Sequence, residues 1–294
     1  MSDMSANRPN FDEFWDYHQP VATEQKFRTL LPLAEGDLDY HAQLLTQIAR
    51  AQGLQRQFEE AHRTLDTVET LLNSLTSNKA RIRYWLERGR VFNSSKQRER
   101  ASELFHQAWG LARSAAEDFY AVDAAHMLGI SEPSDKQLAW SLKALEIAER
   151  SAEPRAQNWR GSLYNNLGWA YHDQAEYAPA LELFERALAW REAQSQAAET
   201  RIARWCVART LRSLNRWDEA LAIQRRLLVE QHEPASSKDG YVHEEIAECL
   251  LSLGRAAEAQ PHFVQAHAKL SPDPWLAENE PARLERLKTL GKAA

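Results

Sequence analysis

One helical pattern is written six times along this chain, and that repetition limits the possible fold more than any other feature of the sequence. Its clearest copy runs Leu163, Tyr164, Leu167, Gly168, Trp169 and Tyr171, crosses a polar gap closed by Pro179, and resumes as Ala180, Leu181, Phe184, Ala187 and Leu188. In both halves apolar residues recur every three or four positions, the period of a helix with one buried stripe. The short polar stretch 172–179 makes the two helices fold back on each other as an antiparallel hairpin. Upstream copies read Trp85, Gly89, Phe92, Ala101, Phe105, Ala108 and, earlier, Leu45, Ala49, Phe58, Ala61, Leu65. Downstream copies read Ala208, Leu211, Trp217, Ala220, Leu227 and Ala247, Leu250, Gly254, Ala259, Phe263, Ala266; a weaker one lies at Ala124, Ala125, Leu128, Leu138, Ala144, Leu145. The small residue of each first helix falls at 49, 89, 125, 168, 208 and 247, in steps of 40, 36, 43, 40 and 39. A lone hairpin leaves an apolar side uncovered, so a row of them is stable only when neighbours stack in sequence order.

Composition agrees with an all-α chain. Apolar residues make up 44% and charged residues 27%, the balance of a folded protein. Helix formers dominate, and strand-like Val/Ile/Thr runs are missing. Turn chemistry falls between the periodic segments, at Ser131–Ser134, Glu153–Pro154, residues 233–237 and Ser271–Pro274. The expected organisation is a polar segment with a capping helix over 1–37, a repeat array over 38–272, and one capping helix over 273–294. A formal charge of −6 gives no global field toward nucleic acid or an anionic membrane, so neither is an expected partner. Cys206 and Cys249 sit in helical apolar patterns and read as reduced core thiols. The start of the chain lacks a basic-then-apolar leader and no stretch of about 18 apolar residues occurs, which leads us to expect a cytoplasmic protein.

The strongest copies resemble the tetratricopeptide repeat family, whose pattern is Trp-x2-Leu-Gly-x2-Tyr, then Ala-x3-Phe, then Pro. Tyr164, Leu167, Gly168, Tyr171, Ala180, Phe184 and Ala187 carry the match, as do Trp85, Gly89, Phe92, Ala101, Phe105 and Ala108. The resemblance covers about residues 38 to 272, with longer repeats than the family's usual ~34 residues. It implies a right-handed superhelical solenoid of about six hairpins plus capping helices. It also implies that first helices line a concave groove that holds a partner protein or peptide.

No phosphate loop, Gly-x-Ser-x-Gly elbow, His-Glu-x-x-His or Cys-x-x-Cys occurs. The chain is therefore expected not to be an enzyme and to need no cofactor or metal. The inner-face positions implied by the resemblance include Arg90, His126, Asn165, Asn166, Trp169, Trp205, Arg209 and Arg212, and these form the expected partner-binding set. Asparagine is a poor mid-helix residue, because its amide competes for backbone hydrogen bonds; Asn166 stands where groove asparagines of the family bond a peptide's main chain. Trp169 and Trp205 lie off the core stripes, as binding anchors do, although packing between first helices is the plainer alternative. Arg209 and Arg212 face either an acidic ligand or Glu245 and Glu248 of the next hairpin. An acidic-aromatic segment, Phe11 to Tyr17, precedes the repeats. It either closes the N-terminal end of the stack or docks into a groove as a placeholder for the ligand. A ligand- or peptide-responsive regulatory sensor is the alternative function, and self-association is left open.

Overall fold

The computed structural model describes residues 8–230 and 239–292, and every described element is helical. The turn expected at 233–237 lies outside the described residues. The chain divides into two compact units, Met1–Leu163 and Tyr164–Ala294.

Unit 1 opens with a 3₁₀ turn, Phe11–Phe14, followed by α1 (Pro20–Thr29) and a second 3₁₀ turn, Leu31–Ala34. Three hairpins follow: α2 (Leu38–Leu54) with α3 (Phe58–Leu72), α4 (Asn78–Ser94) with α5 (Arg98–Ser114), and α6 (Asp118–Ser131) with α7 (Ser134–Arg150). A short helix, α8 (Pro154–Gln157), lies against α6 and α7. Helix α1 packs on the first hairpin, burying Phe27 completely against Leu44 and Ile48. The buried stripes are those the repeat pattern predicts, including Ala49, Ala61, Leu65, Ala101, Phe105, Ala108, Ala124, Ala125, Leu128 and Ala144.

Helix α9 (Arg160–Asp173) carries the boundary between the units. Unit 2 continues with α10 (Tyr177–Ala193), then α11 (Ala197–Ser213) with α12 (Trp217–Val229), then α13 (Asp239–Ser252) with α14 (Ala256–Leu270). The expected single C-terminal helix is two, α15 (Pro274–Asn279) and α16 (Pro281–Lys292). The break is local chemistry: Pro281 disfavours the helical region for its predecessor, and Glu280 sits at φ −131°, ψ 46°. Leu276 and Leu287 are both buried, while Trp275 is left 60% exposed.

Close helix approach is set by Gly89 and Gly168. A Cβ on Gly168 would lie 2.6 Å from the Phe184 ring, and one on Gly89 would lie 2.5 Å from the Phe105 ring. Each of these two glycines therefore seats the phenylalanine of its own second helix. No described helix is long and apolar enough to cross a membrane.

Candidate functional site

In unit 2 the helical period brings one face of α9, α11 and α13 into a row. Trp169 and Trp205 have ring centroids 6.1 Å apart, and Trp205 and Tyr241 are 6.3 Å apart, edge to face. All three rings are half-buried. Trp169 also leans edge-on against the core ring of Phe184 at 5.1 Å, so the packing alternative holds for one side of its ring. The indole N–H of Trp205 is shut from solvent without an acceptor among the described residues. Tyr241 escaped the sequence reading. Positions 169, 205 and 241 are evenly spaced, 36 apart, and that spacing was the available signal.

Beside this row, Asn165 Oδ1 accepts from Cys206 Sγ at 3.6 Å, and its Nδ2 lies 3.5 Å from Asn166 Oδ1. Asn166 is exposed. Arg209 and Arg212 both converge on the buried Glu245: Arg212 donates Nε and Nη2 to it at 2.7 and 3.1 Å, and Arg209 Nε stands 3.2 Å away. Burial pushes the Glu245 carboxyl up, against the hydrogen bonds and charge of Arg212. Arg209 also donates to Ser213 Oγ at 2.7 Å, which lies 3.0 Å from His172 Nε2. Glu244 and Glu248 are taken by Arg283 and Arg286 of α16. Burial raises the Cys206 and Cys249 thiols to about 12, so neither is a nucleophile at neutral pH.

In unit 1 the corresponding face is charged and largely closed. Arg90 donates one terminal nitrogen to Glu87 at 2.7 Å and the other to Asp123. Glu87 also pairs with Arg50 at 3.4 Å. His126 packs at 5.1 Å against Trp159, and burial holds its imidazole below the usual range. Arg90 and His126 therefore sit in the wall, while Asn165, Asn166, Trp169, Trp205, Arg209 and Arg212 come together in unit 2. The acidic-aromatic segment lies on unit 1. Asp12 accepts from Arg83 at 2.5 and 3.0 Å and from Arg155 at 3.0 Å, and Trp15 Nε1 donates to Gln47 Oε1 at 3.0 Å. Of the anchoring set Gln47, Arg50, Arg83 and Arg155, the sequence marks only Arg83 as an inner-face position, because nothing local tells which inner-face arginine lacks a carboxylate of its own.

The profile of the tetratricopeptide repeat family matches residues 161–193, the α9–α10 hairpin. No curated protein matches the chain by sequence. Among solved structures, the chain is similar to the apo form of RapI, with 11% identity over 96% of this chain and 81% of that one, TM-score 0.76. It is also similar to a signal transduction ATPase with numerous domains from Pyrococcus horikoshii that carries a tetratricopeptide repeat sensor (15% identity, TM-score 0.71). That match covers 94% of this chain and 44% of the other, so this chain spans less than half of that protein. The apo form of the quorum sensor NprR from B. thuringiensis aligns with 15% identity over 95% of this chain and 79% of its own, TM-score 0.62. Identities at this level establish a common fold. With its recurring hairpins, its glycine-seated phenylalanines and these matches, the chain has a tetratricopeptide-type repeat fold, and its hairpin over residues 161–193 matches the family's own profile.

Proposed function

We infer that this protein is an interaction scaffold that holds an extended or helical segment of a partner protein along the inner helix face of unit 2. The observation that carries the reading is the half-exposed row Trp169, Trp205 and Tyr241 on three first helices, beside the exposed amide of Asn166. Rigid aromatic rings next to polar donors are the anchors on which interface affinity concentrates. The unpaired indole N–H of Trp205 is a further motive, since a buried donor without an acceptor costs about 1–3 kcal/mol. A ligand carbonyl reached by a small ring rotation would recover that. Arg209 borders the row with a shared claim on Glu245, whereas Arg212, Arg90 and His126 shape the wall and contribute less to contact.

A regulatory form of the same proposal draws on the fold likeness to a quorum sensor and a repeat sensor. In it, binding of a short peptide changes what the chain does to a second partner. Selection from a displayed peptide library tests both forms. Peptides recovered on the wild type should lose at least ten-fold in affinity on Asn166→Ala/Trp205→Ala, with the melting temperature held within a few degrees. A sensor gains thermal stability from the short peptide alone; a scaffold requires the longer partner segment. Equal affinity for wild type and double variant would remove the aromatic row from the proposal.

A further inference from the structure

The segment Phe11–Tyr17 touches more of unit 1 than closing its end requires. End closure is done by Phe27 of α1 on Leu44 and Ile48, a cluster that Phe11 joins and Trp15 packs against. Beyond that cluster the segment runs across successive inner elements. Trp15 and Tyr17 stack on each other at 4.8 Å, with the Arg50 guanidinium of α2 5.5 and 5.3 Å from their rings. Phe11 is buried beneath the Arg83 guanidinium of α4, 5.1 Å away, and meets Tyr40 edge-on at 5.3 Å. Asp12 bridges Arg83 to Arg155 of α8, and Arg83 Nε donates to Tyr120 of α6 at 2.7 Å.

The mode of attachment is that of a ligand. A carboxylate, two aromatic rings and an indole N–H make the grip, and the outer residues stay in water, with Tyr17 55% exposed. The receptor side depends on that carboxylate. Arg83 is buried, and Asp12 is its ion-pair partner among the described residues. A buried guanidinium stripped of its counter-charge is strongly unfavourable, so whatever replaces the segment has to bring an acid of its own. Aromatic residues must flank it, because Arg50 and Arg83 both present cation faces to rings.

We propose that the inner face of unit 1 is a binding site for an acidic, aromatic peptide segment of the pattern Phe-Asp-x-x-Trp-x-Tyr, and that the chain's own residues 11–17 occupy it until a partner displaces them. This site is separate from the aromatic row of unit 2. Because the occupant is tethered, it competes at high effective concentration, and a partner segment has to exceed it in affinity or local concentration.

A fluorescein-labelled peptide of residues 8–18 is the probe, titrated against the full chain by anisotropy. Wild type is expected to bind at least ten-fold more weakly than Phe11→Ala/Asp12→Ala/Trp15→Ala, whose own segment is disarmed. Adding Arg83→Met to that variant should abolish binding, as should Asp12→Asn in the peptide, while Trp205→Ala should leave it unchanged. Equal binding to wild type and the disarmed variant overturns the occlusion, and no binding to a cooperatively melting disarmed variant overturns the site. If the triple substitution removes the cooperative melt, Asp12→Asn replaces it, since that change keeps the ring packing. Binding must then rise at least three-fold over wild type, and no rise contradicts the proposal. A labelled peptide that binds only as the chain dimerises, seen by light scattering, contradicts occupation in cis.

Discussion

At the scale of single residues, two positions decide how closely the helices of a hairpin can approach. Gly168 and Gly89 leave no room for a methyl group beside the rings of Phe184 and Phe105. The atoms nearest to Gly168 belong to the Phe184 ring of the second helix. Gly168→Ala is expected to destabilise by about 1–3 kcal/mol through overpacking, despite alanine's better helix propensity. Denaturant unfolding checks this, and a neutral or stabilised variant would contradict the packing. A second residue-scale consequence concerns His243 and His262, whose Nδ1 atoms lie 2.9 Å apart. Burial, with the charges of His262 and Lys269, holds His243 down at about 4, from an ordinary value of 6.5. The unfolded chain therefore takes up a proton between those two values while the folded one does not, so stability falls as pH drops from 6.5 toward 4 and levels off below. Discounted for partial exposure, the loss is about 1 kcal/mol. Melting curves at pH 7.5 and 5 should show it, and His243→Gln should flatten that part of the profile.

At the scale of elements, the hairpin turns other than the one between α6 and α7 share one closure. The N–H of Gln57 reaches the carbonyl of Gln52, that of Gln97 reaches Phe92, that of Glu176 reaches Tyr171, and that of Arg216 reaches Leu211, all at 2.8–3.0 Å. These are six-to-one bonds of the Schellman type, and each needs a left-handed residue just before the donor. Arg56, Lys96, Ala175 and Asn215 fill that place with φ between 59° and 65°, and Gly254 does so in the last hairpin at 73°. Ala175→Gly is expected to raise stability by about 0.5–1 kcal/mol, and Gly254→Ala to lower it by about 1 kcal/mol. Opposite signs in thermal unfolding support the turn geometry, and equal signs contradict it. These turns explain what the sequence hid. The buried stripes were legible because their period is that of a helix, and they surface in the structure at Leu167, Phe184, Leu211 and Phe263. Arg56 and Ala175 carry no intrinsic preference for the left-handed region; helix packing imposes it. The break at Pro281 was legible, and the even apolar period of Leu284, Leu287 and Leu290 concealed it. Of the candidate site, Trp169 and Trp205 were readable from their place off the core stripe. The partners of Arg83 were not, since Asp12 and Tyr120 stand 71 and 37 positions away.

At the scale of the whole molecule, each core is assembled from hairpins that are neighbours in sequence. In unit 2 one cluster runs from Ala180 through Phe184, Leu211, Ile246 and Phe263 to Leu287, and in unit 1 a cluster joins Ile82, Phe105 and Leu128. Stability in such an array is a sum of local terms. Phe263→Ala, a loss of about 3–5 kcal/mol, should speed hydrogen exchange most in α13, α14 and α16, and least in α10. Uniform acceleration across unit 2 would contradict neighbour-limited packing. The central claim is that the first helices carry the binding surface and the second helices carry the stack. Hydrogen exchange on the complex with a library-selected peptide tests it most directly. Protection centred on α9, α11 and α13, at the turns bearing Asn166, Trp205 and Tyr241, is the result this account predicts. Protection confined to α10, α12 and α14 would contradict it.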